Sequence, residues 1–165
     1  MNTTSDRKTA WYVLALLVLA ADQALKTSIA LSTPLGWSQQ VTPFFNLVHV
    51  LNPGAAFSFL AGAGGWQRWF FLAIALAASV WLAWLLWRPA RSVEALAYSL
   101  ILGGALGNAF DRAVRGQVVD YLDFHVGRWH WPAFNLADVA ITSGAAALIL
   151  AALTENRPRR ERKPA

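Results

Sequence analysis

The 165-residue chain has no cysteine, which excludes disulfides, thiol nucleophiles and thiolate metal sites while leaving the compartment open. Acids are scarce too, nine Asp and Glu against 14 Lys and Arg. The three histidines, His49, His125 and His130, are too few and too scattered to spell a metal site, although His125 and His130 straddle a turn and can meet. No glycine-rich phosphate loop follows a strand. Ser58 has no local base in a recognisable frame. What is left for chemistry is a short set of carboxylates and amides.

Apolar residues, by contrast, make up 56% of the chain, too many for an ordinary soluble fold. A bilayer core needs about 20 mostly apolar residues per helical span. Residues 69–87 meet that test with Ser79 as their only polar residue. Residues 10–30, 93–112 and 136–153 meet it if their polar residues stay at one end. Four spans in a single integral membrane domain over residues 1–165 are therefore expected, joined outside the membrane by residues 31–68 and 113–135. A cleavable signal peptide over residues 7–21 is the competing reading of the first run.

Arg7, Lys8, Arg88, Arg91, Arg157, Arg159, Arg160, Arg162 and Lys163 are nine of the 14 basic residues, and four spans put all nine on one side. The positive-inside rule makes that side, with both termini, cytoplasmic. The net charge of +5 then reads as a topology and anionic-lipid signal, not a nucleic-acid patch.

In chain order, residues 1–9 form a polar, frayed start, and span 1 ends with Asp22 and Lys26 on one helix face. Residues 44–51 read as a strand, Asn52-Pro53-Gly54 as a turn, and residues 55–60 as a second strand or a short surface helix. Trp66, Trp69, Trp84 and Trp87 bracket span 2 as interface belts. Gly103, Gly104 and Gly107 permit close packing of span 3, which finishes with Asn108, Asp111 and Arg112. Gly116 breaks that helix. A strand over Val118–Val126, a turn at Gly127-Arg128 and a return to Phe134 precede span 4.

This topology gathers Asp22, Asn108, Asp111, Arg112, Asp120, Asn135 and Asp138 at one membrane face. Asp22 is expected to pair with Lys26 and Asp111 with Arg112, leaving Asp120 and Asp138, 18 residues apart, without a basic partner. Asp138 also fits a capping box with Asn135 as N-cap, and Asp120 fits a solvated strand residue. If instead the two carboxylates meet, they share a proton, one serving as general base on water and the other as general acid, which is aspartyl peptidase chemistry. A small proton-coupled carrier would use the same acids as a relay, but needs a polar track that span 2 and the inner halves of spans 3 and 4 lack. A structural scaffold would leave the convergent acids without purpose.

Five blocks, Asp22-Gln23-x-x-Lys26, Asn52-x-Gly54-Ala55-Ala56-Phe57-Ser58, Gly107-Asn108-x-x-Asp111-Arg112, Gly116-x-Val118-Val119-Asp120-Tyr121 and Phe134-Asn135-x-Ala137-Asp138, occur in the order found in bacterial lipoprotein signal peptidases (signal peptidase II). With the four spans, the chain resembles that family over roughly residues 10–153. The resemblance implies an all-α membrane protein, four transmembrane helices with a small extracytoplasmic β-cradle and a short, flap-like surface segment from the first loop. It implies catalytic Asp120 and Asp138, with Asp22, Lys26, Asn52, Gly54, Asn108, Asp111, Arg112, Asn135 and Ala137 supporting the site or contacting substrate. It implies an aspartic endopeptidase of the bacterial inner membrane, working near the outer face without metal or cofactor. Its substrate would be a prolipoprotein, cut just before a diacylglyceryl-modified cysteine. Membrane lipids are the other expected partners, no nucleic acid is expected, and the enzyme is expected to be a monomer.

Overall fold

The computed structural model describes residues 3–54, 60 and 62–155. Four helices dominate: α1 (Thr3–Ser32), α2 (Gln67–Trp87), α3 (Ser92–Val114) and α4 (Leu136–Glu155). Each contains a stretch long and apolar enough to cross a membrane, Arg7–Ser32, Gln67–Trp87, Ser92–Val114 and Leu136–Thr154. Their large apolar side chains point outward: Leu16, Leu17, Val80, Trp81, Ile149 and Leu150 are all exposed, as surfaces facing lipid require. The chain is a multi-pass membrane protein.

Helix α3 is the centre of the bundle. Its span is 56% buried, against 17%, 17% and 22% for those of α1, α2 and α4. It packs on all three, whereas α2 and α4 scarcely meet each other. Small residues allow this. A Cβ at Gly103 would lie 2.5 Å from the backbone oxygen of Ala15 in α1, and one at Gly104 would run into the backbone oxygen of Ala137 in α4. Gly144 of α4 is pressed in the same way against Ala97 of α3, where a Cβ would meet the Ala97 oxygen at 2.7 Å.

The other elements form one antiparallel sheet, in the order β1 (Ser38–Thr42), β2 (Phe45–Asn52), β3 (Val118–Val126) and β4 (Trp129–His130). Pairing of Val50 with Asp120 and of Asn52 with Val118 draws the first loop over the start of β3. Phe134 bridges to Leu122, so the chain returns along β3 before it enters α4. Gly116, at φ +83°, supplies the left-handed residue that releases the chain from α3 into β3. The sheet sits at the bundle end where α1 and α3 finish and α4 begins.

Two expectations change. The start of the chain is not frayed from residue 3 onward, because α1 extends back to Thr3 and Lys8 Nζ donates to the Trp87 carbonyl at 2.7 Å, anchoring α1 to the end of α2. Strand β1, absent from the reading above, adds an exposed edge to β2. The second strand or surface helix expected over residues 55–60 lies outside the described residues except for Leu60, and so does the basic tail at 157–163.

Candidate active site

The first four N–H groups of a helix have no partner within it, and α4 begins at the bundle interface, where water is scarce. All four are satisfied. Leu136 N–H donates to the Tyr121 hydroxyl at 3.1 Å, Ala137 N–H to Asp22 Oδ1 at 2.9 Å, Asp138 N–H to Asn135 Oδ1 at 3.1 Å and Val139 N–H to the Asn135 carbonyl at 3.2 Å. Asn135 N–H in turn donates to Asp138 Oδ2 at 3.2 Å, closing the capping box. Asp138 is therefore a helix-capping residue. That role does not use up its carboxylate.

Behind this start lies a fully buried ion cluster. Lys26 Nζ donates to Asp22 Oδ2 at 2.9 Å, Asp111 Oδ2 at 3.0 Å and Asn108 Oδ1 at 2.7 Å, with all three charged side chains at 0% exposure. The expected Asp22–Lys26 pair is present. The expected pairing of Asp111 with Arg112 is not. Successive residues on a helix point about 100° apart, so Asp111 finds Arg115 one turn on instead. Arg112 turns toward the first loop, donating to the Gly54 carbonyl at 2.7 Å and the Asn108 carbonyl at 3.2 Å.

The two buried acids hold backbone next to the two candidate aspartates. Asp22 binds the N–H of Ala137, the residue before Asp138. Asp111 Oδ2 accepts from the N–H of Val119, the residue before Asp120, at 3.2 Å. Lys26 ties these two acids together, so one ammonium sets the spacing between β3 and α4.

Three asparagines then face the candidate pair, and each has its amide orientation decided from behind. Lys26 has only hydrogens to offer, so Asn108 must turn its oxygen to Lys26 and its Nδ2 to Asp138 Oδ1, 2.8 Å away. Asn135 spends its oxygen on the Asp138 N–H and gives Nδ2 to Asp120 Oδ1 at 2.7 Å. Asn52 takes the Gly54 N–H at 2.9 Å and donates to Asp120 Oδ2 at 3.1 Å. Each of the four carboxylate oxygens thus receives one N–H. Burial, then the negative charge of Asp138, push Asp120 up to about 7, against the hydrogen bonds of Asn52 and Asn135 and the charge of Lys26.

Asp120, Asp138, Asn52, Asn108 and Arg112 line one cavity of about 560 Å³, together with Trp131, Pro132, Ala133 and Phe134 from the segment before α4. Such a site can activate a water between two carboxylates and grip an extended peptide beside them. A family model described as signal peptidase (SPase) II matches residues 14–154. The chain belongs to the signal peptidase II family. The lipoprotein signal peptidase of Cupriavidus taiwanensis is 55% identical over 141 residues, covering 85% of this chain and 80% of that protein. That of Aeromonas hydrophila subsp. hydrophila is 53% identical over 154 residues, covering 91% and 92%. A solved bacterial membrane enzyme superposes with a TM-score of 0.83 at 31% identity, over 95% of both chains.

Of the residues named from the sequence, the structure brings Asp22, Lys26, Asn52, Gly54, Asn108, Asp111, Arg112, Asn135 and Ala137 into one connected network with Asp120 and Asp138. Three members were missed. Gln23 donates to Asp22, Asp111 and the Gly107 carbonyl; Arg115 donates to Asp111, Gln23 and Thr27; Tyr121 accepts from α4. Arg115 was visible in principle as the i+4 partner of Asp111. The histidines stay apart from the site: His49 Nδ1 lies by Thr33, while His130 binds Asp123 and stacks on His125 with ring centroids 4.9 Å apart.

Proposed function

We propose that this protein is a membrane aspartyl endopeptidase that removes the signal peptide from prolipoproteins by cleaving before the diacylglyceryl-modified cysteine, with Asp120 and Asp138 as its catalytic pair. The observation that carries the reading is two carboxylates, each oxygen held by an N–H, lining one cavity at the end of the bundle where α1 and α3 finish and α4 begins. Arg7, Lys8, Arg88 and Arg91 cluster at the other end, which favours both termini in the cytoplasm and the site near the outer face of the inner membrane.

Asp138 sits at the N-terminus of α4, where the helix dipole favours an anion, and Asp120 is pushed up to about 7. The shared proton is assigned to Asp120, which leaves Asp138 as the base. Asp138 takes a proton from water as the resulting hydroxide attacks the scissile carbonyl carbon, and Asp120 gives its proton to the carbonyl oxygen. The gem-diol intermediate collapses as the cysteine nitrogen takes the proton from Asp138 and leaves, while Asp120 takes back a hydroxyl proton as the new carbonyl forms. Products are the signal peptide carboxylate and the free amine of the lipidated cysteine. Arg112, held by Gly54 and Asn108, lines the cavity and is placed to orient the substrate carbonyl.

The experiment is cleavage of a prolipoprotein by the purified protein in nanodiscs, with and without diacylglyceryl on its cysteine. Cleavage of the lipidated form alone is expected. Failure of folded wild-type protein to cut a verified lipidated substrate would remove this reading.

A further inference from the structure

The cavity continues beyond the aspartates. From Asp138 it runs along α4 past Val139, Ile141, Thr142 and Ser143, into the membrane-spanning part of the helix. At 1.5 Å per residue, Thr142 and Ser143 lie about 6 to 7.5 Å deeper than Asp138. The walls there are apolar apart from these two hydroxyls.

Three other hydroxyls in the spans satisfy themselves on their own helix. Ser79 donates to the Ala75 carbonyl at 2.7 Å, Ser99 to that of Ala95 at 2.7 Å, and Thr154 to that of Leu150 at 3.0 Å. Thr142 and Ser143 have no hydrogen-bond partner among the described residues, and both are exposed where they line the cavity. In an apolar wall at the level of the span, an unpaired hydroxyl is unfavourable.

A signal segment arriving as a helix must unwind at the bond to be cut, which frees backbone N–H and C=O groups in a dry cleft. Those groups need partners that both donate and accept, which a hydroxyl does. An extended chain advances about 3.3 Å per residue, so 6 to 7.5 Å corresponds to about two residues. The signal segment, on the membrane side of the cut, lies at this level. We propose that Thr142 and Ser143 form a ledge that hydrogen-bonds the unwound peptide backbone of the substrate about two residues upstream of the cut. This rests on the peptidase reading above. Because it addresses backbone, the ledge accepts signal segments of differing side chains.

The test compares wild type, Thr142→Val, Ser143→Ala and the double variant in nanodiscs, all checked for unchanged thermal unfolding. KM, as mole fraction of lipidated prolipoprotein, is expected to rise about fivefold per hydroxyl removed, with kcat within about twofold. Thr142→Ser is expected to keep the wild-type KM. A substrate carrying a backbone ester at the second residue upstream is expected to weaken wild type about fivefold and leave the double variant unaffected. Binding of the cleaved signal peptide, which needs no turnover, is expected to weaken by the same factor as KM rises. An unchanged KM in the double variant, a fall in kcat alone, or an ester effect equal in both proteins would overturn the ledge. Failure of the peptidase reading is separate: wild type would not cleave at all, while the peptide-binding comparison would still judge the ledge.

Discussion

Two polar clusters in this protein use the same kinds of residue and have opposite characters. Behind the candidate active site, Lys26 joins Asp22, Asp111 and Asn108 with every charge at 0% exposure. In the hairpin, His130 joins Asp123, which also accepts from Asn46 at 2.8 Å, and the His130 side chain is 50% exposed. The first cluster holds backbone of β3 and α4 through the N–H groups of Val119 and Ala137. The second links side chains across neighbouring strands near the hairpin tip. Similar chemistry therefore carries very different weight. A buried charge left without its partner destabilises by several kcal/mol, whereas water reaches the half-exposed His130 and can replace it beside Asp123, whose side chain is 10% exposed.

The largest effect is expected from Lys26→Met. It leaves Asp22 and Asp111 facing each other without the ammonium between them and frees Asn108 to rotate, so unfolding free energy in detergent should fall by about 3–5 kcal/mol and cleavage should be lost. A smaller effect is expected from Gly107→Ala, because a Cβ there would lie 2.5 Å from Asp22 Oδ2. Displacing that carboxylate is expected to cost about 1–3 kcal/mol, read by thermal unfolding, and to lower kcat without altering membrane insertion.

The pH dependence of the two regions is expected to run in opposite directions. Asp120 is raised, so the folded state holds its proton more tightly than the unfolded chain does. Its stabilising effect is complete below the ordinary carboxylate range and is lost as pH rises through about 7. Cleavage, which needs that proton on Asp120, should fall over the same rise. Asp123 is lowered: burial works to raise it, but the Asn46 and His130 hydrogen bonds and the neighbouring histidine charges together outweigh burial. Its contribution is present above the ordinary carboxylate range and is lost only as pH falls through its lowered value. A pH–rate profile beside a pH–unfolding profile reads both. The smallest effect is expected from Asp123→Asn, below about 1 kcal/mol on unfolding with near wild-type cleavage; a loss as large as that of Lys26→Met would erase the contrast between the clusters.

Much of the frame was legible because it rests on local rules. Four runs of about 20 apolar residues, the Asn52-Pro53-Gly54 turn, the capping box at Asn135 and Asp138, and the i, i+4 pair Asp22–Lys26 are all written within a few residues of one another. The rest depends on partners distant in sequence. Strand β1 has no alternation of apolar and polar residues and exists because β2 offers it an edge. The amide of Asn108 is oriented by Lys26, 82 residues earlier. Asp111 chose Arg115 over its immediate neighbour, a matter of helix geometry that adjacency in the sequence obscured. Gln23, seated between both buried acids, carried no signal beyond its place in a motif.

The most direct test of the central claim is single-turnover cleavage of lipidated prolipoprotein by Asp120→Ala and Asp138→Ala, each purified in nanodiscs beside wild type. Both variants are expected to insert and unfold cooperatively, with Asp120→Ala no less stable than wild type near pH 7, where the buried carboxylate no longer has to ionise. Both are expected to lose cleavage by at least about a thousandfold. Cleavage at a rate near that of wild type in either folded variant would contradict the account.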